Sequence, residues 1–257
     1  MTDRNERGDA PAASAGWTDA PRTGAGADGM VERVAEPDAV EEGTPEERAI
    51  NRLFATAREQ TEVGDTTAAV ATYRQLLGRA PSHVRARNNL ALLLERRGEL
   101  EAALQELDKA LEIEPDNVSV LCNRAAVLSA RLLYERAETD LRRAGRLSDN
   151  SAEVQVNLGI LACKRARWRE AIEPLRRAVE LDPGSGSAHY YLGEAYNHID
   201  QLPAALEHYE RAAALQPSNW RAHKGVGIVL DRMGRPTEAA VAYQRAREAQ
   251  RKAASSV

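Results

Sequence analysis

Three asparagines stand 34 residues apart, at Asn89, Asn123 and Asn157. An asparagine amide carries N–H donors and a carbonyl acceptor, the same complement as a peptide group. A row of them can therefore hydrogen-bond an extended main chain without reading its side chains. Groups that make or break covalent bonds do not assemble here. The sequence has no Gly-rich phosphate loop, no Gly-x-Ser-x-Gly elbow and no His-Glu-x-x-His pair. Its five histidines, His83, His189, His198, His208 and His223, include no pair at i, i+4 spacing. Cys122 and Cys163 are too few for a disulfide framework and too far apart in sequence for a close zinc-ligating pair. The expectation is a chain that is not an enzyme, with no catalytic residues, no metal site and no cofactor.

The asparagines belong to a wider period. Ala69, Ala103, Ala137, Ala171, Ala205 and Ala239 are also 34 residues apart, and so are Ala57, Ala91, Ala125, Gly159, Gly193 and Gly227. A fixed period of this length marks stacked two-helix units. Six units follow, 50–83, 84–117, 118–151, 152–185, 186–219 and 220–253, each read as helix A, turn, helix B, turn. Within the second, Leu90, Ala91 and Leu94, then Ala103, Leu104, Leu107, Ala110 and Leu111, keep the i, i+3, i+4, i+7 spacing of helices buried on one face. Gly64, Gly98 and Gly234 fall where a left-handed residue ends helix A, and Pro81, Pro115, Pro183 and Pro217 close helix B. Small residues at the helix crossings permit an axis separation at the short end of roughly 8–10 Å. Order is expected to begin at Thr44, which with Glu47 forms a capping box ahead of Pro45.

The columns resemble the tetratricopeptide repeat. Its pattern is matched by Leu158-Gly159, Trp168, Ala171, Leu175, Ala178 and Pro183, and again by Leu192-Gly193, Tyr196, Ala205, Tyr209, Ala212 and Pro217. The resemblance covers residues 50–253 and implies an all-α fold, a right-handed α-solenoid of six tandem repeats preceded by a disordered leader. The third unit departs most: Arg124 stands for Leu, Leu132 for Gly and Asp149 for Pro. Two accounts of it stand, a degenerate repeat whose Arg124 stem lies along apolar surface with its head in water, or a bend in the array.

In solenoids of this family the A helices line a concave groove, which would bring the asparagine ladder onto the binding face. Successive A helices lie roughly 10 Å apart and an extended chain advances about 3.3 Å per residue, so one amide meets a ligand backbone about every third residue. The alternative is that Asn is simply the residue the family habitually carries there. Around the ladder, Leu92, Cys122, Ala126, Val156 and Ile160 are read as an apolar floor, flanked by Arg85, Arg96 and Lys164. In later units Tyr190, Tyr191, Glu194, Asn197 and Lys224 take over. The two-carboxylate clamp of chaperone-binding relatives is not matched, because its positions hold Phe54 and Arg58, then Asn89, then Ser119 and Asn123.

The implied function is a protein–protein interaction scaffold, an adaptor that binds an extended peptide or partner protein. The runner-up is a substrate-presenting subunit of a transferase or of an assembly or secretion complex. Net charge is −4, which argues against general nucleic-acid binding, although residues 220–257 carry eight Lys/Arg against three Asp/Glu. Residues 1–43 carry ten Asp/Glu against four Lys/Arg and no Leu, Ile or Phe, so this acidic leader is expected to be disordered. No signal peptide, lipid-attachment cysteine or membrane-spanning run is seen, and a cytoplasmic location without membrane partners is expected. The sixth unit, with Arg247 and Arg251 outward, reads as the terminal repeat, leaving 254–257 as a tail. Oligomeric state is not legible.

Overall fold

The computed structural model describes residues 43–255; the leader read over 1–43 lies, Gly43 apart, outside the described residues. Among them are twelve α-helices and no strand: α1 (Pro45–Glu62), α2 (Thr66–Arg79), α3 (Val84–Arg96), α4 (Leu100–Ile113), α5 (Val118–Ala130), α6 (Tyr134–Leu147), α7 (Ala152–Lys164), α8 (Trp168–Leu181), α9 (Gly186–His198), α10 (Leu202–Leu215), α11 (Trp220–Arg232) and α12 (Pro236–Ser255). Successive helices pair as six antiparallel hairpins, each stacked on the next. The last helix runs to Ser255, past residue 253.

Polar side chains set where the first helix of each hairpin starts. Thr44 and Glu47 form the capping box, with Glu47 N donating to Thr44 Oγ1 at 3.2 Å and Thr44 N to Glu47 Oε2 at 2.6 Å. Later hairpins use a second 34-residue column: His83, Asn117, Ser151, Ser185 and Asn219 each accept the N–H of the residue three further on. Each first helix ends on a left-handed residue. Gly64, Gly98 and Gly234 have φ of +84°, +77° and +72°, and in the middle hairpins Leu132, Ala166 and Asp200 adopt φ of 61°, 55° and 62°. The geometry is thus kept where glycine is not, at a cost of steric strain on Cβ.

The periodic alanines Ala69, Ala103, Ala137, Ala171, Ala205 and Ala239 are all fully buried where the paired helices cross. One apolar core runs from Ala57 to Leu161, a second joins Ala205 to Ala242, and a smaller cluster around Ala171, Leu175 and Leu192 lies between them. The odd-numbered helices touch one another directly, α3 with α5, α5 with α7, α7 with α9 and α9 with α11, whereas the even-numbered helices make no comparable contacts among themselves. Closer spacing on one side than the other makes the odd helices the inner layer of a curved stack.

The third hairpin corrects one expectation. The head of Arg124 is not in water. Its Nη1 donates to Asp108 Oδ1 at 2.8 Å, and its Nε and Nη2 grip both oxygens of Asp140, so that α4, α5 and α6 are tied at one point. The physical reason is that the column is covered by the neighbouring hairpin, where Leu90 is 2% exposed, so a charge there needs a partner.

Candidate peptide-binding face

The three asparagines sit on α3, α5 and α7 of the inner layer, each half-buried, but they are not equivalent rungs. Asn89 Nδ2 donates to the hydroxyl of Tyr73 on α2 at 3.2 Å. Asn123 Nδ2 donates to Oδ1 of Asn88 on α3 at 2.8 Å. Asn157 Nδ2 turns back to the carbonyl of Glu153, one turn earlier, at 3.0 Å. Each amide is therefore held through an N–H. Among the described residues none of the three Oδ1 atoms accepts a hydrogen bond, and none is a buried acceptor left unsatisfied, so all three are reached by solvent. Asn88 was missed by the sequence reading; its place beside Asn89 was the available signal.

The floor between them is more closed than its composition implies. Cys122 is fully buried, Ala126 and Val156 are 6% exposed, and Val156 packs with Ala178 and Ala188 between hairpins four and five. Leu92 and Ile160 keep part of their surface. Ile228, 37% exposed and in the same column as both, extends the apolar strip into the last hairpin. At the other end the Arg85 guanidinium lies 5.2 Å over the ring of Phe54, which itself stacks on His83. Arg96 is exposed and Lys164 half-buried.

In the fifth hairpin the Tyr209 ring, from α10, fits between the α9 and α11 backbones at two glycines. A Cβ at Gly193 would come within 2.7 Å of it, and one at Gly225 within 2.6 Å. The phenol emerges on the inner layer and donates to Glu194 Oε1 at 2.5 Å; Tyr190 donates to the same oxygen at 3.3 Å. Tyr190 meets Tyr191 edge-on, with centroids 5.1 Å apart. Burial, reinforced by the Glu194 charge, raises both the Tyr190 and the Tyr209 phenol well above the ordinary value. Asn197 is already engaged: its carbonyl accepts from Arg232 Nη1 at 2.8 Å, its side-chain oxygen bonds the same nitrogen, and Arg232 also pairs with Asp200. Lys224 is exposed on α11.

Among the described residues no group of three or more His, Cys, Asp or Glu is placed to hold an ion. His189 Nδ1 and His208 Nδ1 instead face each other at 3.0 Å, with Tyr196 stacked on His208. His223 Nε2 bonds the Pro217 carbonyl at 3.1 Å. No helix among the described residues is long and apolar enough to cross a membrane.

The sequence pattern of the tetratricopeptide repeat matches residues 54–118, 156–218 and 200–254, more than half of the chain. The chain belongs to the tetratricopeptide repeat family. The unmatched stretch falls on the third hairpin, where Arg124, Leu132 and Asp149 replace the repeat's usual residues. Solved tetratricopeptide-like structures agree in fold. MamA of Desulfovibrio magneticus is 25% identical, with a TM-score of 0.55 over 66% of this chain and 96% of its own. PilF of Pseudomonas aeruginosa is 21% identical, with a TM-score of 0.65 over 77% and 90%. A tetratricopeptide repeat protein from Parabacteroides merdae is 18% identical, with a TM-score of 0.57 over 76% and 77%. No curated protein matches the chain. As a tetratricopeptide repeat protein it is a protein–protein interaction scaffold.

Proposed function

We propose that this scaffold is a non-catalytic adaptor that holds an extended segment of a partner protein along its inner layer, across α3, α5, α7, α9 and α11. The observation that carries the reading is the state of the three asparagines. Each is fixed through an N–H to its own chain while its carbonyl oxygen faces solvent, so the acceptors are oriented before a guest arrives. Holding a group in its bound geometry removes part of the ordering cost of binding. A ligand main chain supplies the missing N–H donors, and Leu92, Ile160 and Ile228 supply apolar contact beside them.

The test is crosslinking-coupled affinity capture from the native cell with wild type and with an Asn89→Ala, Asn123→Ala, Asn157→Ala triple variant. The expected result is loss of the captured partner from the variant, with its helical circular dichroism and melting temperature near those of wild type. Equal capture by a folded variant removes the asparagines from the mechanism.

A further inference from the structure

Glu194 breaks a pattern. Its column on the inner layer reads Arg58, Leu92, Ala126, Ile160, Glu194, Ile228, so that in four of the last five hairpins the position is apolar. The carboxylate is half-buried, and its hydrogen-bond donors are the neutral phenols of Tyr190 and Tyr209, both directed at Oε1. Among the described residues Oε2 accepts no bond, is not an unsatisfied buried atom, and is therefore open to solvent.

Among the described residues the carboxylate forms no ion pair, although the charge of Arg221 is felt at Tyr190. Arg221 and Lys224 lie on the adjoining α11, yet neither forms an ion pair with it, Arg221 resting instead over the Trp220 ring at 5.2 Å. Arg232 is held by Asn197 and Asp200. The surroundings are shielded from water: Tyr209 is 1% exposed, and burial together with the Glu194 charge pushes the Cys163 thiol up to about 12. A fixed negative charge in such surroundings gains more from a cation than the same charge does in open solvent.

We infer that Glu194 is a specificity residue, selecting guest segments that place a lysine or arginine side chain opposite the fifth hairpin. The cation bonds Oε2, and its alkyl stem lies along the Tyr190 and Tyr191 rings, which also attract it through their faces. Tyr190 and Tyr209 act as positioning residues. They hold the carboxylate in one orientation and do not touch the guest's charge. This rests on the groove reading above and adds the class of side chain that the groove prefers.

The experiment is selection of a random twelve-residue peptide library, displayed on phage, against the immobilised full-length protein and against Glu194→Gln. Glutamine keeps an acceptor for both phenols, so the fold is preserved, and a thermal melt checks it. Wild type is expected to enrich one Lys or Arg position, and the variant to lose that enrichment. For the best synthetic peptide, fluorescence anisotropy is expected to show at least about a tenfold weakening with Glu194→Gln. Replacing the peptide's basic residue by norleucine should weaken wild type by a similar factor and leave the variant unchanged. Peptides enriched without a basic position, or enriched in Asp and Glu through Arg221 and Lys224, overturn the inference and leave the groove reading intact. A basic position that survives Glu194→Gln overturns the assignment to this residue. Failure of wild type to select any peptide overturns the groove reading and this inference together.

Discussion

Arg124 holds Asp140 through two parallel hydrogen bonds, Nε to Oδ2 at 2.8 Å and Nη2 to Oδ1 at 2.7 Å, in the column where adjacent hairpins carry Leu90 and Leu158. The Asp140 side chain is 8% exposed, so the pair is a substitute for apolar packing and each partner depends on the other.

Restoring the family's leucine at this point is therefore expected to harm the protein. Arg124→Leu leaves a buried carboxylate unpaired and should cost about 3–5 kcal/mol. Adding Asp140→Leu should return much of that loss. Urea denaturation of the two variants and wild type measures both effects, and an additive pair of losses would contradict the account.

Leu132 occupies the left-handed turn at φ 61° and is 69% exposed, so its side chain has little packing to lose. Leu132→Gly relieves the Cβ strain at the expense of a more flexible unfolded chain. The net expectation is a gain of about 1 kcal/mol. A shift of the urea midpoint upward at constant slope is the readout.

Gly225→Ala drives a methyl against the Tyr209 ring, which Gly193 blocks from the other side. Overpacking of this kind costs about 1–3 kcal/mol. The loss should shrink when Tyr209→Ala is combined with it, because the two changes share one space. Melting temperatures of the four proteins of the cycle decide the matter.

His189 and His208 share a short Nδ1 to Nδ1 contact that needs one donor and one acceptor, so at least one ring must be neutral, and protonating both breaks it. Burial lowers both, with the mutual charge and Arg211 adding to the lowering at His189 and Glu207 opposing it at both rings. Folded values below the ordinary 6.5 mean that the unfolded chain takes up protons first as pH falls. Stability from this pair is thus complete above about pH 6.5 and is lost as pH drops below it. Melting temperature followed from pH 7.5 to 5.5 should fall, and His208→Gln should flatten that slope.

The repeat was legible because its cause is local: small residues at each helix crossing, glycine at the turns and proline after helix B all recur at one spacing. The capping column of His83, Asn117, Ser151, Ser185 and Asn219 was equally periodic, and it escaped notice because three residue types fill it. Arg124 shows where a single sequence falls short. Its partners Asp108 and Asp140 lie 16 residues away on either side, and only the stacking of α4 against α5 makes one of them a neighbour. The same holds for the candidate face. Periodicity placed Asn89, Asn123 and Asn157 in register, but their hydrogen bonds go to three unlike partners, Tyr73 and Asn88 on other helices and the Glu153 carbonyl one turn away. Val156 looked like floor and is packed between hairpins, since Ala178 and Ala188 let the neighbouring helices close over it.

Among the described residues the even-numbered helices reach the next hairpin mainly through its odd-numbered helix. Among the described residues the outer side is joined by isolated bridges, such as Arg143 on α6 to Asp116 and Arg177 on α8 to Asn150, so the radius depends chiefly on how each odd-numbered helix packs against its neighbours. A guest held along the inner layer would press on that packing, and its capture would then alter how tightly the ribbon coils.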